Sequence, residues 1–207
     1  MRHRLTRNGA AWLVGAGLLL GTGAPAGAEG QTSAPGIFAA GAYTFSDELG
    51  GFHILSARGT GTRNDPIVIR QELESSSPVT LVIRANGPIE PYSNARGVAN
   101  GFLHVRAEVV NNSGQAWIEF EFELQEQLRK ASVFGDGLSF DQRRSDSDNI
   151  GSDSFADYSR DFEPYDRLLF RNGRVDPRKG ASFSFLITDF TPRWQFFLVL
   201  DPRIPSS

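Results

Sequence analysis

Residues 117–124 read Trp-Ile-Glu-Phe-Glu-Phe-Glu-Leu, and their two-residue period decides the fold class. Successive side chains on a strand face opposite sides. Ile118, Phe120, Phe122 and Leu124 therefore point one way, while Glu119, Glu121 and Glu123 point the other. A helix would scatter both sets around its circumference. As a strand, the segment presents its apolar set to a core and its three carboxylates to water or to a cleft.

The same texture extends outward in both directions. Phe102 to Val110 alternates as well, with Leu103, Val105, Ala107 and Val109 on one face and His104, Arg106 and Glu108 on the other. Asn111-Asn112-Ser113-Gly114 is a turn signal that predicts a hairpin between this segment and 117–124. Phe52–Leu55, Pro66–Leu73, Val79–Arg84, Leu168–Phe170, Ser182–Phe190 and Trp194–Leu200 add further strands, each bounded by turn-forming clusters. Only Leu124–Ala131 offers helical material, a turn or two. About nine strands with frequent turn signals predict an all-β fold, an antiparallel two-sheet sandwich resembling a jelly roll.

The N-terminus reads as an address. Arg2, Arg4 and Arg7 precede the apolar run Ala10–Ala24, and Ala26-Gly27-Ala28 fits the small-x-small rule for cleavage. Such a segment is a signal peptide, and its apolar run is shorter than the roughly 20 residues that span a bilayer. Residues 1–28 are then removed, 29–41 form a flexible lead-in, and 42–207 form a single domain. The protein is expected in the periplasm or secreted, with no transmembrane segment after cleavage.

Charge excludes some partners. The chain of 207 residues has a net charge of -3 and no Cys. Removing the three leader Arg leaves 18 basic against 24 acidic residues, a net of -6. Nucleic acid is not an expected partner. Without Cys the fold rests on packing, and thiolate chemistry is absent. Nine acids against three Arg lie between Asp136 and Asp166, a stretch that reads as one long acidic loop. Asp146, Asp148, Asp153 and Asp157 are its weak candidates for Ca²⁺, because hard cations take clustered oxygens. The run from Asp146 departs from an EF-hand at Ile150 and Asp153 and lacks flanking helices, so no cofactor is assigned.

Two other patterns have plainer readings. Gly59-Thr60-Gly61-Thr62 lacks the Lys and the following helix of a phosphate loop and reads as a tight connection. His53 reads as a packed strand residue and His104 as part of a polar face; no G-x-S-x-G elbow accompanies them.

Glu119-Phe120-Glu121-Phe122-Glu123 resembles the Glu-x-Asp-x-Glu strand of jelly-roll glycosidases such as laminarinases and lichenases, with Glu in place of the middle Asp. That resemblance implies Glu119 as nucleophile and Glu123 as acid/base, with Trp117 and Trp194 as the Trp available to a sugar cleft. The plainer reading is an exposed face balanced by an Arg such as Arg106. Over most of its length, the chain also resembles uncharacterised exported β-sandwich proteins of proteobacteria. The segments involved are FSDELGGFHIL, GTGTRNDPIVI, VTLVIR, DGLSFDQ and FLITDF. This implies an exported sandwich and no catalytic residue. The reading that follows is a non-catalytic binding or interaction module for a glycan or protein partner. A carbohydrate-active hydrolase or a Ca²⁺-stabilised surface protein are the alternatives.

Overall fold

Seven strands form one sheet. In spatial order they are β1 (Ile37–Ala40), β2 (Tyr43–Ser46), β5 (Val79–Ala85), β13 (Gln195–Arg203), β7 (Glu119–Gln125), β11 (Arg167–Gly173) and β10 (Phe155–Ser159). The second sheet runs β3 (Phe52–Arg58), β4 (Ile67–Leu73), β6 (Phe102–Asn111), β12 (Gly180–Asp189) and β8 (Leu138–Phe140). The two-residue β9 (Gly151–Ser152) also pairs with β12. This computed structural model describes residues 36–141, 149–160 and 162–205. The leader reading at 1–28 and most of the lead-in fall outside those residues. No helix among the described residues is long and apolar enough to cross a membrane.

The two sheets face each other across an aromatic core, as the period predicts for 119–124. Ahead of Glu119, where β7 begins, it does not hold, since Trp117 on the acid-bearing side is fully buried and Ile118 only half-buried. Phe120, Phe122 and Leu124 are fully buried, and they meet Phe183 and Phe185 from β12. Ring centroids lie 4.7 Å apart for Phe120 and Phe183, and 4.9 Å apart for Phe122 and Phe185. Trp117 is also fully buried, with its indole N–H donating to Ser113 Oγ at 3.1 Å.

Several expectations change. The described residues form thirteen strands, not about nine, because β1, β2, β8, β9 and β10 are too short or too polar to show a period. Residues 37–40 belong to a strand paired with β2, so the lead-in is ordered from there on. Leu124–Ala131 is no helix. β7 runs to Gln125, and a tight turn follows, bridged between Gln127 and Lys130. The second sheet is not wholly antiparallel, since β4 and β6 run parallel.

The predicted hairpin at Asn111–Gly114 is also absent. β6 pairs with β4 and β12, whereas β7 pairs with β13 and β11 in the opposite sheet. The turn carries the chain across the sandwich. Asn111 is completely buried there, donating to Gln115 O at 2.8 Å and Val175 O at 2.9 Å, while its Oδ1 accepts from Ser113. Those bonds satisfy an amide deep in the connection.

Gln71 is the core's exception. It lies on the same face of β4 as Ile67, Ile69 and Leu73, is 1% exposed, and its Oε1 has no hydrogen-bond partner. An orphaned buried acceptor costs about 1–3 kcal/mol. Gln71→Leu is expected to stabilise the protein by about 1 kcal/mol, read as a higher urea midpoint at unchanged slope. An unchanged or lower midpoint would show that the amide is satisfied in solution.

Candidate functional site

The row of acids on β7 faces outward, yet it forms no open cleft. Across the sheet, Glu121 stands between Leu169 of β11 and Asp201 of β13, and its neighbours cover it to 5% exposure. Arg203 Nη2 donates to Glu121 Oε2 at 2.7 Å, and Arg167 Nε lies 3.9 Å from Glu121 Oε1. Burial raises the Glu121 pKa, and the two guanidinium groups oppose that rise. Glu123 accepts from Arg167 at 2.6 Å and from Gln125 Nε2 at 2.7 Å. Glu119 lies across from Arg203 in the strand register. The balancing residues are thus Arg167 and Arg203. Arg106 belongs to the other sheet, where it pairs with Glu108.

The expected sugar-binding Trp residues do not join this row. Trp117 is in the core. Trp194 is 63% exposed at the start of β13, where it stacks under the Arg84 guanidinium. Val199, which lies across from Glu123, is about 16 Å of strand away from Trp194.

The acidic stretch between Asp136 and Asp166 is not one long loop. Its described residues include a 3₁₀ turn (Phe134–Asp136) at the start, then β8, β9 and β10, and its carboxylates brace separate joints. Asp136 accepts from Ser132 Oγ and from the N–H groups of Val133 and Leu138. Asp153 accepts from the N–H and Oγ of Ser182, which holds its pKa low against the effect of burial. Asp157 accepts from Asn172 Nδ2. Asp153 thus binds the β12 sheet and Asp157 the β11 edge, so these two Ca²⁺ candidates serve different joints. Asp146 and Asp148 lie outside the described residues. Among the described residues, no three His, Cys, Asp or Glu side chains are grouped as for a metal ion.

The two histidines are placed differently from each other. His53 is 40% exposed, not packed, because β3 is an edge strand whose alternation sends Phe52 and Ile54 inward. Its Nε2 lies 3.2 Å from Glu74. His104 is half-buried. Desolvation, with the Arg63 charge, lowers its pKa, and its backbone N–H donates to Gly61 O at 3.0 Å.

That last bond leads to a concavity, a cleft of about 640 Å³ among the described residues. Three segments build it: the β1–β2 turn (Gly41–Tyr43), the turn after β3 (Thr60–Thr62), and the loop before β6 (Asn94–Val98, with Asn100 and Phe102). The N–H groups of Thr60, Gly61 and Thr62 all donate to Asp65 O. Gly59 has φ 103°, and a Cβ there would sit 2.0 Å from Pro66 O. The Gly-Thr repeat is therefore a closed turn, as its sequence predicts. In the third segment, Ala99 donates to Pro88 O and Glu90 to Ala99 O, closing the loop on itself. Tyr92 is held at φ 63°, a strained value for a bulky residue, by its N–H bond to Asn100 O. Its half-exposed ring stacks on Phe190 at 6.1 Å and leans on Phe102, which lines the cleft.

The cleft wall offers Thr hydroxyls, Asn amides, the Arg96 guanidinium and aromatic surface, and no carboxylate, His or Lys is among the described residues that line it. Burial and the nearby Asp189 charge push the Tyr43 hydroxyl up to about 12, so it stays protonated. Sequence reading missed this site. Its only local signs are the Gly-Thr turn and the Gly, Pro and Asn content of 86–101, neither of which reveals that two loops and a hairpin turn meet.

The architecture makes the chain a two-sheet β-sandwich protein with an end cleft built by turns and loops. No family model matches the chain, and no match is found among the curated proteins or the solved structures.

Proposed function

We propose that the protein is an exported, non-catalytic carbohydrate-binding module that uses the cleft between Tyr43, Thr62 and Phe102. One observation carries this reading: the wall combines donors, acceptors and aromatic surface, with no general acid/base pair. A sugar ring presents hydroxyls at its edge and C–H groups on its face, which such a wall complements. Hydrolysis would instead need two free carboxylates flanking the bond. Of the pair Glu119 and Glu123 that the resemblance implies, Glu123 is held by Arg167, and Glu121 between them is held by Arg203, so the geometry favours binding over the hydrolase alternative.

The test is calorimetric titration of the purified chain with soluble oligosaccharides, alongside the Ala95→Trp variant. Ala95 is exposed on the cleft wall, so the larger side chain fills the site without entering the core. Binding is expected to fall by about tenfold or more, which corresponds to about 1.4 kcal/mol, while the melting temperature stays the same. A saccharide that binds the variant unchanged would place the site elsewhere.

A further inference from the structure

The cleft wall has a sign of its own. The chain is acidic overall, with a net charge of -3, yet the one charged side chain among the described cleft-lining residues is Arg96. Arg96 forms no ion pair with any described residue, unlike Arg84, Arg167 and Arg203 elsewhere on the sandwich. One guanidinium group thus stands on the wall, and no carboxylate is among the described residues that line it.

A cleft with low-dielectric walls and one sign of charge concentrates the opposite ion. Guanidinium is a planar fork that pairs with planar or tetrahedral oxyanions through two parallel bonds. The Thr60, Thr62, Asn94 and Asn100 side chains beside it are neutral and suit hydroxyls. Building on the carbohydrate-binding reading above, we infer that the ligand is an anionic saccharide, in which Arg96 receives a ring-borne carboxylate or sulfate and the Thr and Asn side chains receive hydroxyls.

The experiment titrates the full chain and its Arg96→Gln variant with three oligosaccharides of equal length: a neutral one, a uronic acid oligomer and a sulfated one. An anionic sugar is expected to bind about tenfold or more tightly than the neutral one, because a hydrogen bond to a charged group exceeds a neutral one. That advantage should vanish in Arg96→Gln and shrink as salt is raised. Which anion prefers the site separates carboxylate from sulfate.

Equal affinity for neutral and anionic sugars would overturn this inference while leaving the carbohydrate reading intact. An anion preference that survives Arg96→Gln would also overturn it. Failure of all three sugars to bind would sink the carbohydrate reading itself, and binding undiminished by Ala95→Trp would move the site away from this cleft and overturn this inference with it.

Discussion

Phe183→Ala is expected to cost about 3–5 kcal/mol, a large share of the 5–15 kcal/mol that holds a typical domain together. Phe183 is fully buried on β12, and its ring lies 4.7 Å from Phe120, 5.2 Å from Phe122, 4.9 Å from Phe170 and 5.7 Å from Phe155. All four partners belong to the opposite sheet, so this one side chain ties three of its strands to β12. Truncation removes the transfer energy of a phenyl group and opens a cavity that the flanking strands cannot close. The midpoint of thermal unfolding should drop by about 10 °C, since each kcal/mol shifts a domain of this size by about 2–4 °C. Leu128→Ala is the control. That side chain is 43% exposed in the turn after β7, and its loss should cost no more than about 0.5 kcal/mol. A Phe183→Ala cost near that of the control would mean that the two sheets are not joined through this cluster.

The second large effect concerns pH. Asp166 and Asp189 flank the short edge strand β8, and burial pushes both carboxyl groups up to about 6 from an ordinary value of 3.8. Asp166 is opposed by its bond from Ser139 and by Arg160, and is raised further by Asp136. Asp189 accepts from the backbone of Thr191 and Arg193, while Glu126 and Asp136 push it higher. Both groups hold their protons more tightly folded than unfolded. Their contribution to stability is therefore fully present below about pH 4 and is lost as pH rises through 6. Glu48 and Asp153 are shifted the opposite way, and their contribution fades as pH falls below the ordinary carboxylate range.

Stability should accordingly be greatest in mildly acidic solution. Between pH 5 and pH 7.5 the protein is expected to lose about 3 kcal/mol, roughly half of what two full two-unit shifts imply at 1.36 kcal/mol per unit. The variant carrying Asp166→Asn and Asp189→Asn should be more stable than the natural chain at pH 7.5 and should show a nearly flat profile over that range. Urea unfolding at four pH values measures this directly. A double variant with the same slope as the natural chain would assign the pH dependence to other groups.

Reading the sequence succeeded where the physics is local. The alternation of 117–124 is a property of eight consecutive residues, and Phe120, Phe122 and Leu124 lie in the core as that alternation requires. Glu121 shows where locality ends. Alternation sent it outward correctly, but its burial comes from Leu169, Arg167, Asp201 and Arg203, which are distant in sequence. Asn111–Ser113 shows the same limit. A turn signal states that the chain bends, and does not state whether it returns within a sheet or crosses to the other. The acidic stretch misled because a strand such as β10, with Asp157 and Tyr158 exposed or half-exposed at the sheet edge, has no apolar period to detect.

The sequence by itself determined that this protein is built of strands around a phenylalanine-rich interior, because side-chain direction along a strand follows from backbone geometry alone. Only the tertiary structure decided which strands are neighbours, which Arg faces which Glu, and where a cleft opens. Those outcomes depend on pairings between segments far apart in the chain, and an end cleft is the space that three such segments leave between them.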